Sequence, residues 1–209
     1  MGDDFSNCSW SWFWLSIPDT PTTECASTRP GVTTRARISA VPTGIATAPG
    51  RPTAAIFDPR INSNGYPANP NVTVLEWLAR QPRFRGKVGA IATWDVISNV
   101  INEARAGIDV LDGWEEPFPG AQGRDARRAM VNELYRTSVR VWEGNAFDAP
   151  MQLATKEYIK LKKPRVLFVG YGETDEWAHL RRYDLTLKSA RQVDRYIADL
   201  WSFMQGMRQ

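Results

Sequence analysis

A chain of 209 residues can bury one sizeable core, or one domain with an appendage. Its composition, 43% hydrophobic and 23% charged with nine Trp, is that of a globular protein, and its net charge of +3 is the balance of acids and bases mixed along the chain. Without a Lys/Arg block interleaved with aromatics, no nucleic-acid polymer is expected as a partner, and no apolar run approaches the roughly 20 residues of a membrane span.

The chain opens on an aromatic cluster, "WSWFWLSI" (residues 10–17), which is too short to cross a bilayer. It also lacks the basic flank of a signal peptide, because Asp3 and Asp4 precede it. A cytoplasmic chain is the default reading, although a start inside a longer exported precursor would look the same. Its aromatic run, Trp10 to Trp14, reads as an exposed apolar patch that could meet a partner or drive association. Cys8 and Cys25 have no metal-ligand spacing; they are a disulfide in an oxidising compartment or two unrelated thiols otherwise. Residues 27–55, "STRPGVTTRARISAVPTGIATAPGRPTAA", contain no acid and no aromatic residue and follow neither a 3.6 nor a 2 residue period. A linker and a segment translated out of frame both fit that bias. Residues 1–56 are therefore expected to be irregular, with an α/β domain over 57–209.

From Phe57 onward the signals are orderly. "DPRINSNGYPANP" is a loop by its Asn, Pro and Gly content. "NVTVLEWLARQ" reads as a short helix with Val74, Leu75 and Leu78 on one side, and "KVGAIA" as a buried strand. "TWDVISNVINEARAG" reads as one helix closed by Gly107. "RDARRAMVNELYRTSVRVWEGN" reads as a long amphipathic helix with Ala129, Leu134, Val141 and Trp142 toward the core. "PMQLATKEYIKLKK" is a further helix, and Pro164 introduces a second buried strand, "RVLFVGY". The last helix is expected from about Leu185 to Met207, with Leu187, Ala190, Val193, Ile197, Leu200, Trp201 and Met204 at helical spacing. Strands alternating with helices imply a mostly parallel sheet covered on both faces, a three-layer α/β/α sandwich.

In such sheets ligands bind at the carboxyl ends of the strands. "RVLFVGY" ends at Gly170 and Gly172, so "ETDEWAH" lies at that rim, and His179 is the one histidine of the chain. Should Asp175 and His179 share a helical turn, their i and i+4 side chains lie about 5–6 Å apart at Cβ. A carboxylate and an imidazole so placed can hold a divalent ion such as zinc, or can simply form a surface acid–histidine pair.

"YGETDEWAHLRRYDLTLKSARQVDRYIADLW" resembles the segment of alkaline phosphatase superfamily proteins that carries half of a two-metal site. The branch it resembles holds type I phosphodiesterases/nucleotide pyrophosphatases and phosphoglyceromutase or sulfatase-like proteins. "DPRINSN", "NPNVTVLEWLARQPRFRGKVGAIATWDVISNVINEARAG" and "VLDGWE" resemble the same branch in the same order, so the likeness spans about three quarters of the chain. It implies a metal-dependent hydrolase or transferase acting on small-molecule phosphate or sulfate esters. Asp175 and His179 would then be ligands of one ion, zinc or manganese, with Glu173 beside it. The family's chemistry uses two divalent ions to neutralise charge on the ester, and a Ser or Thr alkoxide for in-line attack.

The family pattern also needs a second Asp-His pair and a third His, and this chain has a single His. Thr33, Thr34, Ser39 and Thr43 stand in the acid-free region, none within a nucleophile motif. The catalytic residue is thus unassigned, and the chain is expected to be an incomplete copy with half of one metal site. The alternative is a non-catalytic α/β remnant or binding module. Trp94 and Asp95 follow a strand and could line a pocket, with core or strand-cap roles the plainer reading. Asp194 reads as a structural hydrogen-bond acceptor, and Arg181, Arg182 and Tyr183 as a solvated helix start or as contacts to an anionic ester.

Overall fold

The computed structural model describes residues 12–16, 58–63, 67–121 and 125–207, the first of these as backbone. Cys8, Cys25 and the segment 27–55 lie outside the described residues.

Two apolar runs form the centre of an α/β fold. β2 (Val88–Ala92) and β4 (Val166–Gly170) are buried at every position and pair in parallel, Ala90 opposite Phe168. The strand period of two divides their side chains between the faces. Val88, Ala90, Ala92, Val166 and Phe168 enter one core; Ile91, Leu167 and Val169 enter the other. β3 (Asp109–Leu111) extends the sheet in parallel beside β2, and β1 (Trp12–Ser16) pairs antiparallel with β4, so the order is β1-β4-β2-β3. The three strands of the expected α/β domain are parallel. The added antiparallel edge strand falls in a stretch where the sequence reading placed none.

Helices cover both faces, giving the three layers. Leu75 of α1 (Val74–Arg80), Ile97 and Ile101 of α2 (Ile97–Ile101) and Ala106 of α3 (Glu103–Ala106) fill one core. α4 (Ala126–Thr137), α5 (Asp148–Lys162) and α7 (Tyr183–Gly206) cover the other face, with α6 (Glu173–His179) leading from β4 into α7. Tyr158 of α5 lies against Gly89, where a Cβ would fall 2.3 Å from the tyrosine hydroxyl. The side chain missing from glycine is what lets α5 settle on the sheet.

Four helices differ from their sequence reading. The helix expected to run up to Gly107 breaks at Asn102, which takes the left-handed conformation (φ 57°) and accepts the Arg105 N–H on its own side chain. The α4 helix ends at Thr137, because Ser138 turns extended ahead of β-branched Val139 and Val141. Its buried face is Val131, Asn132 and Tyr135; Leu134 is 36% and Val141 49% exposed, and Ala129 and Trp142 are only partly buried. Asn132 earns its buried place by accepting the Phe118 N–H and donating to the Phe118 carbonyl, a role that an apolar count overlooks. In α7, Val193 and Leu200 are buried as expected, whereas Leu187, Ala190 and Trp201 are exposed and Ile197 and Met204 half-buried. Of the three α1 residues expected on one side, Leu75 is buried and Leu78 packs against the core, whereas Val74 is 37% exposed.

Ions tie the first layer together. Glu76 is fully buried, yet Arg80 and Arg105 both pair with it, and Arg105 also donates to the carbonyls of Pro70 and Asn71. A buried carboxylate is tolerated when its lone pairs are satisfied in this way.

Candidate functional site

β4 ends at Gly170, and two residues later Gly172 opens α6 at the carboxyl rim of the parallel strands. Asp175 and His179 sit on that helix at i and i+4. His179 Nε2 lies 3.2 Å from Asp175 Oδ2, with the Asp175 side chain 9% and the imidazole 62% exposed. Burial pushes the Asp175 carboxyl up from its ordinary range, and the neighbouring His179 partly offsets this. The pair can act as an acid–imidazole couple or as two donors to a cation. Two ligands about 2.1 Å from one tetrahedral ion stand roughly 3.4 Å apart, so the observed separation suits a shared ion. Among the described residues no group of three or more His, Cys, Asp or Glu is placed to hold one. The residues present therefore fit two positions of a coordination shell.

Residues from three other segments hold this turn in place. Asp148, at the start of α5, accepts the N–H groups of Gly172 (3.0 Å) and Glu173 (3.3 Å) on Oδ1. In return Glu173 Oε1 accepts the Asp148 N–H at 2.7 Å, so the two helix starts cap one another. Burial, with the Glu173 charge adding to it, pushes the Asp148 carboxyl up to about 8. Asn145 Nδ2 donates to Glu176 Oε1 at 2.9 Å, and Thr174 Oγ1 donates to Ser189 Oγ of α7 at 3.1 Å. A Cβ on Gly172 would lie 2.5 Å from Thr93 Oγ1 and 2.6 Å from Asn145 Nδ2. Only glycine fits between those two fully buried polar residues.

The expected residues separate accordingly. Asp175 and His179 come together. The Glu173 carboxylate is directed to the α5 backbone. Trp94 is half-buried against the α1–α3 core and bridges Asn145, while Asp95 donates its N–H to the Gly144 carbonyl. Arg182 pairs with Asp184 at 2.9 Å, Arg181 takes a left-handed turn (φ 56°), and Tyr183 is 74% exposed, the geometry of a solvated helix start. Thr33, Thr34, Ser39 and Thr43 lie outside the described residues.

Thr93, Asn145 and Asp148 escaped the sequence reading. Asp148 had a local signal, an acid two residues before Pro150 at a helix start. Thr93 and Asn145 had none, since long-range packing alone gives them their role. Behind α6, Trp177 packs edge-on against Trp142 at 4.7 Å, and Trp142 in turn against Phe147 at 5.4 Å, so aromatic contacts hold the back of the turn. A cavity of about 380 Å³ opens elsewhere, beside β3, lined by Phe118, Tyr158 and Lys162 among others. Neither Asp175 nor His179 borders it.

No family model, curated protein or solved structure matches this chain. The fold and the rim geometry stand on their own, and the class they define is an α/β protein with an acid–imidazole pair at the carboxyl edge of a parallel sheet. No helix among the described residues is long and apolar enough to cross a membrane.

Proposed function

We propose that this chain carries half of a metal site for chemistry on phosphate or sulfate esters, of the alkaline phosphatase superfamily type. The observation that carries the reading is the Asp175–His179 pair, 3.2 Å apart on the turn that follows β4. Asp175 supplies an anionic oxygen donor and His179 a neutral nitrogen donor, a mixed set suited to zinc and open to manganese. Asp148 and Asn145 fix the turn, so the two donors are held in place before any ion arrives. A bound divalent ion would supply Lewis-acid stabilisation of the ester oxygens.

The ligand count limits what the chain does by itself. Two protein donors leave an ion mostly solvated, and the single histidine of the sequence is already used. The chain is therefore a binding fragment of such an enzyme, with little turnover of its own. A second reading, a non-catalytic α/β remnant, is favoured by the lack of a third donor among the described residues.

Zinc titration against a chromophoric chelator tests the first reading. One zinc per chain is expected, bound more weakly than about 1 µM and lost in both His179→Ala and Asp175→Ala. Zinc binding that ignores both substitutions would leave the remnant reading standing. Robust metal-dependent hydrolysis of an aryl phosphate or sulfate, abolished by His179→Ala, would overturn the fragment reading instead.

A further inference from the structure

The 24-residue helix α7 has two apolar stripes. One faces the core through Val193, Tyr196, Leu200 and Phe203, and half-buried Ile197 packs against the same core from the border between the two stripes. α5 lies on the outer flank of that stripe, where Gln152 donates to Asp199, Lys156 pairs with it, and Lys156 and Lys160 lie over the Phe203 ring. The other stripe is turned about 100° away, on the side opposite α5. It comprises Tyr183, Leu187, Ala190, Asp194, Ile197, Trp201 and Met204, at alternating steps of four and three residues. That alternation is the a/d seam of a coiled coil. Tyr183 is 74%, Leu187 53% and Trp201 45% exposed.

The seam is self-complementary when reversed. With two copies antiparallel about residue 192, Tyr183 meets Trp201 of the other copy, and Leu187 meets Ile197. The one charge in the seam, Asp194, then falls beside Ala190 and Arg191 of the other copy. Asp194 and Arg191 are exposed, and among the described residues neither has an ion-pair partner. In the reversed register each Asp194 gains an Arg191, twice per pair. A parallel pair would instead set Asp194 against Asp194. From this charge complementarity we propose that two copies of this chain associate through α7, antiparallel, along the seam from Tyr183 to Trp201.

The helix is already folded on its own domain, so association orders only side chains along roughly 27 Å of seam. A contact of that size, below the usual 800 Å² or so per partner, suits dissociation constants in the micromolar range.

Sedimentation equilibrium on the full chain between about 1 and 100 µM tests this. A monomer–dimer equilibrium is expected, and Leu187→Asp should raise its dissociation constant at least about tenfold with the circular dichroism spectrum unchanged. A monomer at about 100 µM overturns the proposal, as does a dimer indifferent to Leu187→Asp. If Leu187→Asp does not fold, the charge swap decides. Asp194→Arg and Arg191→Asp should each weaken the dimer several-fold, and the double variant should restore it to within about threefold; failure of that restoration refutes the Asp194–Arg191 contact. The register is read by cross-linking in a Cys8→Ser/Cys25→Ser background. A short bifunctional maleimide should join Leu187→Cys copies to Ile197→Cys copies and should not join Leu187→Cys copies to one another, the opposite result marking a parallel pair.

Discussion

Asp148 shows how much one buried group can set. Its carboxylate is 2% exposed and holds the first turn of α6 by two backbone N–H groups. Burial raises its folded-state affinity for a proton, so its pKa rises from about 3.8 to about 8. For an acid raised in this way, the stabilisation is complete below the unfolded value and is lost as pH rises through the folded one. The chain should therefore lose stability between about pH 4 and pH 8 through this residue. Asp148→Asn keeps the accepting oxygen and removes the charge. Its thermal midpoint should fall less across that window and exceed the parent's at pH 8, by an amount worth at least about 1 kcal/mol. Equal slopes in both proteins would show that Asp148 is solvated at neutral pH. Gly172 is the steric counterpart. A methyl there meets Thr93 and Asn145, so Gly172→Ala should cost roughly 1–3 kcal/mol in urea unfolding. It should also shift Asp175 and His179, weakening zinc binding without touching either ligand.

At the scale of elements, what was legible followed from how many faces each one buries. β2 and β4 are covered on both sides, so they read as unbroken apolar runs, and their limits fall within a residue or two of the reading. α7 was found by period, but its phase was blurred because its apolar arc holds a core stripe and an outward stripe side by side. The face of α4 was misjudged because one buried position is Asn132, paid for by hydrogen bonds rather than by apolarity. The site divides the same way. The spacing of Asp175 and His179 is local and was readable; Thr93 and Asn145 act through contacts distant in sequence and were not. Glu76 makes a sharp test of an element contact. Removing its charge leaves Arg105, which joins α3 to α1 and to residues 70–71, without its main partner. Glu76→Ala should destabilise by about 3–5 kcal/mol in chemical unfolding, far more than loss of an exposed ion pair. A change below about 1 kcal/mol would mean that the buried pair contributes little beyond its own desolvation.

For the whole molecule, the open question of strand pairing lies at the sheet's edges. β4 is buried at all five positions and carries the rim turn, yet it has only β2 as a parallel neighbour. β1 occupies its other side, Trp12 opposite Gly170 and Ser16 opposite Val166. Without β1 the backbone N–H and C=O groups on that side of β4 would lack strand partners, and an uncovered apolar edge invites pairing with other chains. Proline cannot donate to a ladder and is excluded from paired positions. Neighbouring residues of an antiparallel strand direct their N–H groups to opposite sides, so Phe13→Pro/Trp14→Pro is bound to strike the inward one. The double variant should unfold at lower urea, by at least about 1 kcal/mol, and should scatter light on warming before the parent does. Hydrogen exchange should locate the loss, with protection falling at Val166–Gly170 and holding at Val88–Ala92. Unchanged protection along β4 would show that the aromatic segment does not cover it and that the parallel strands close the sheet on their own.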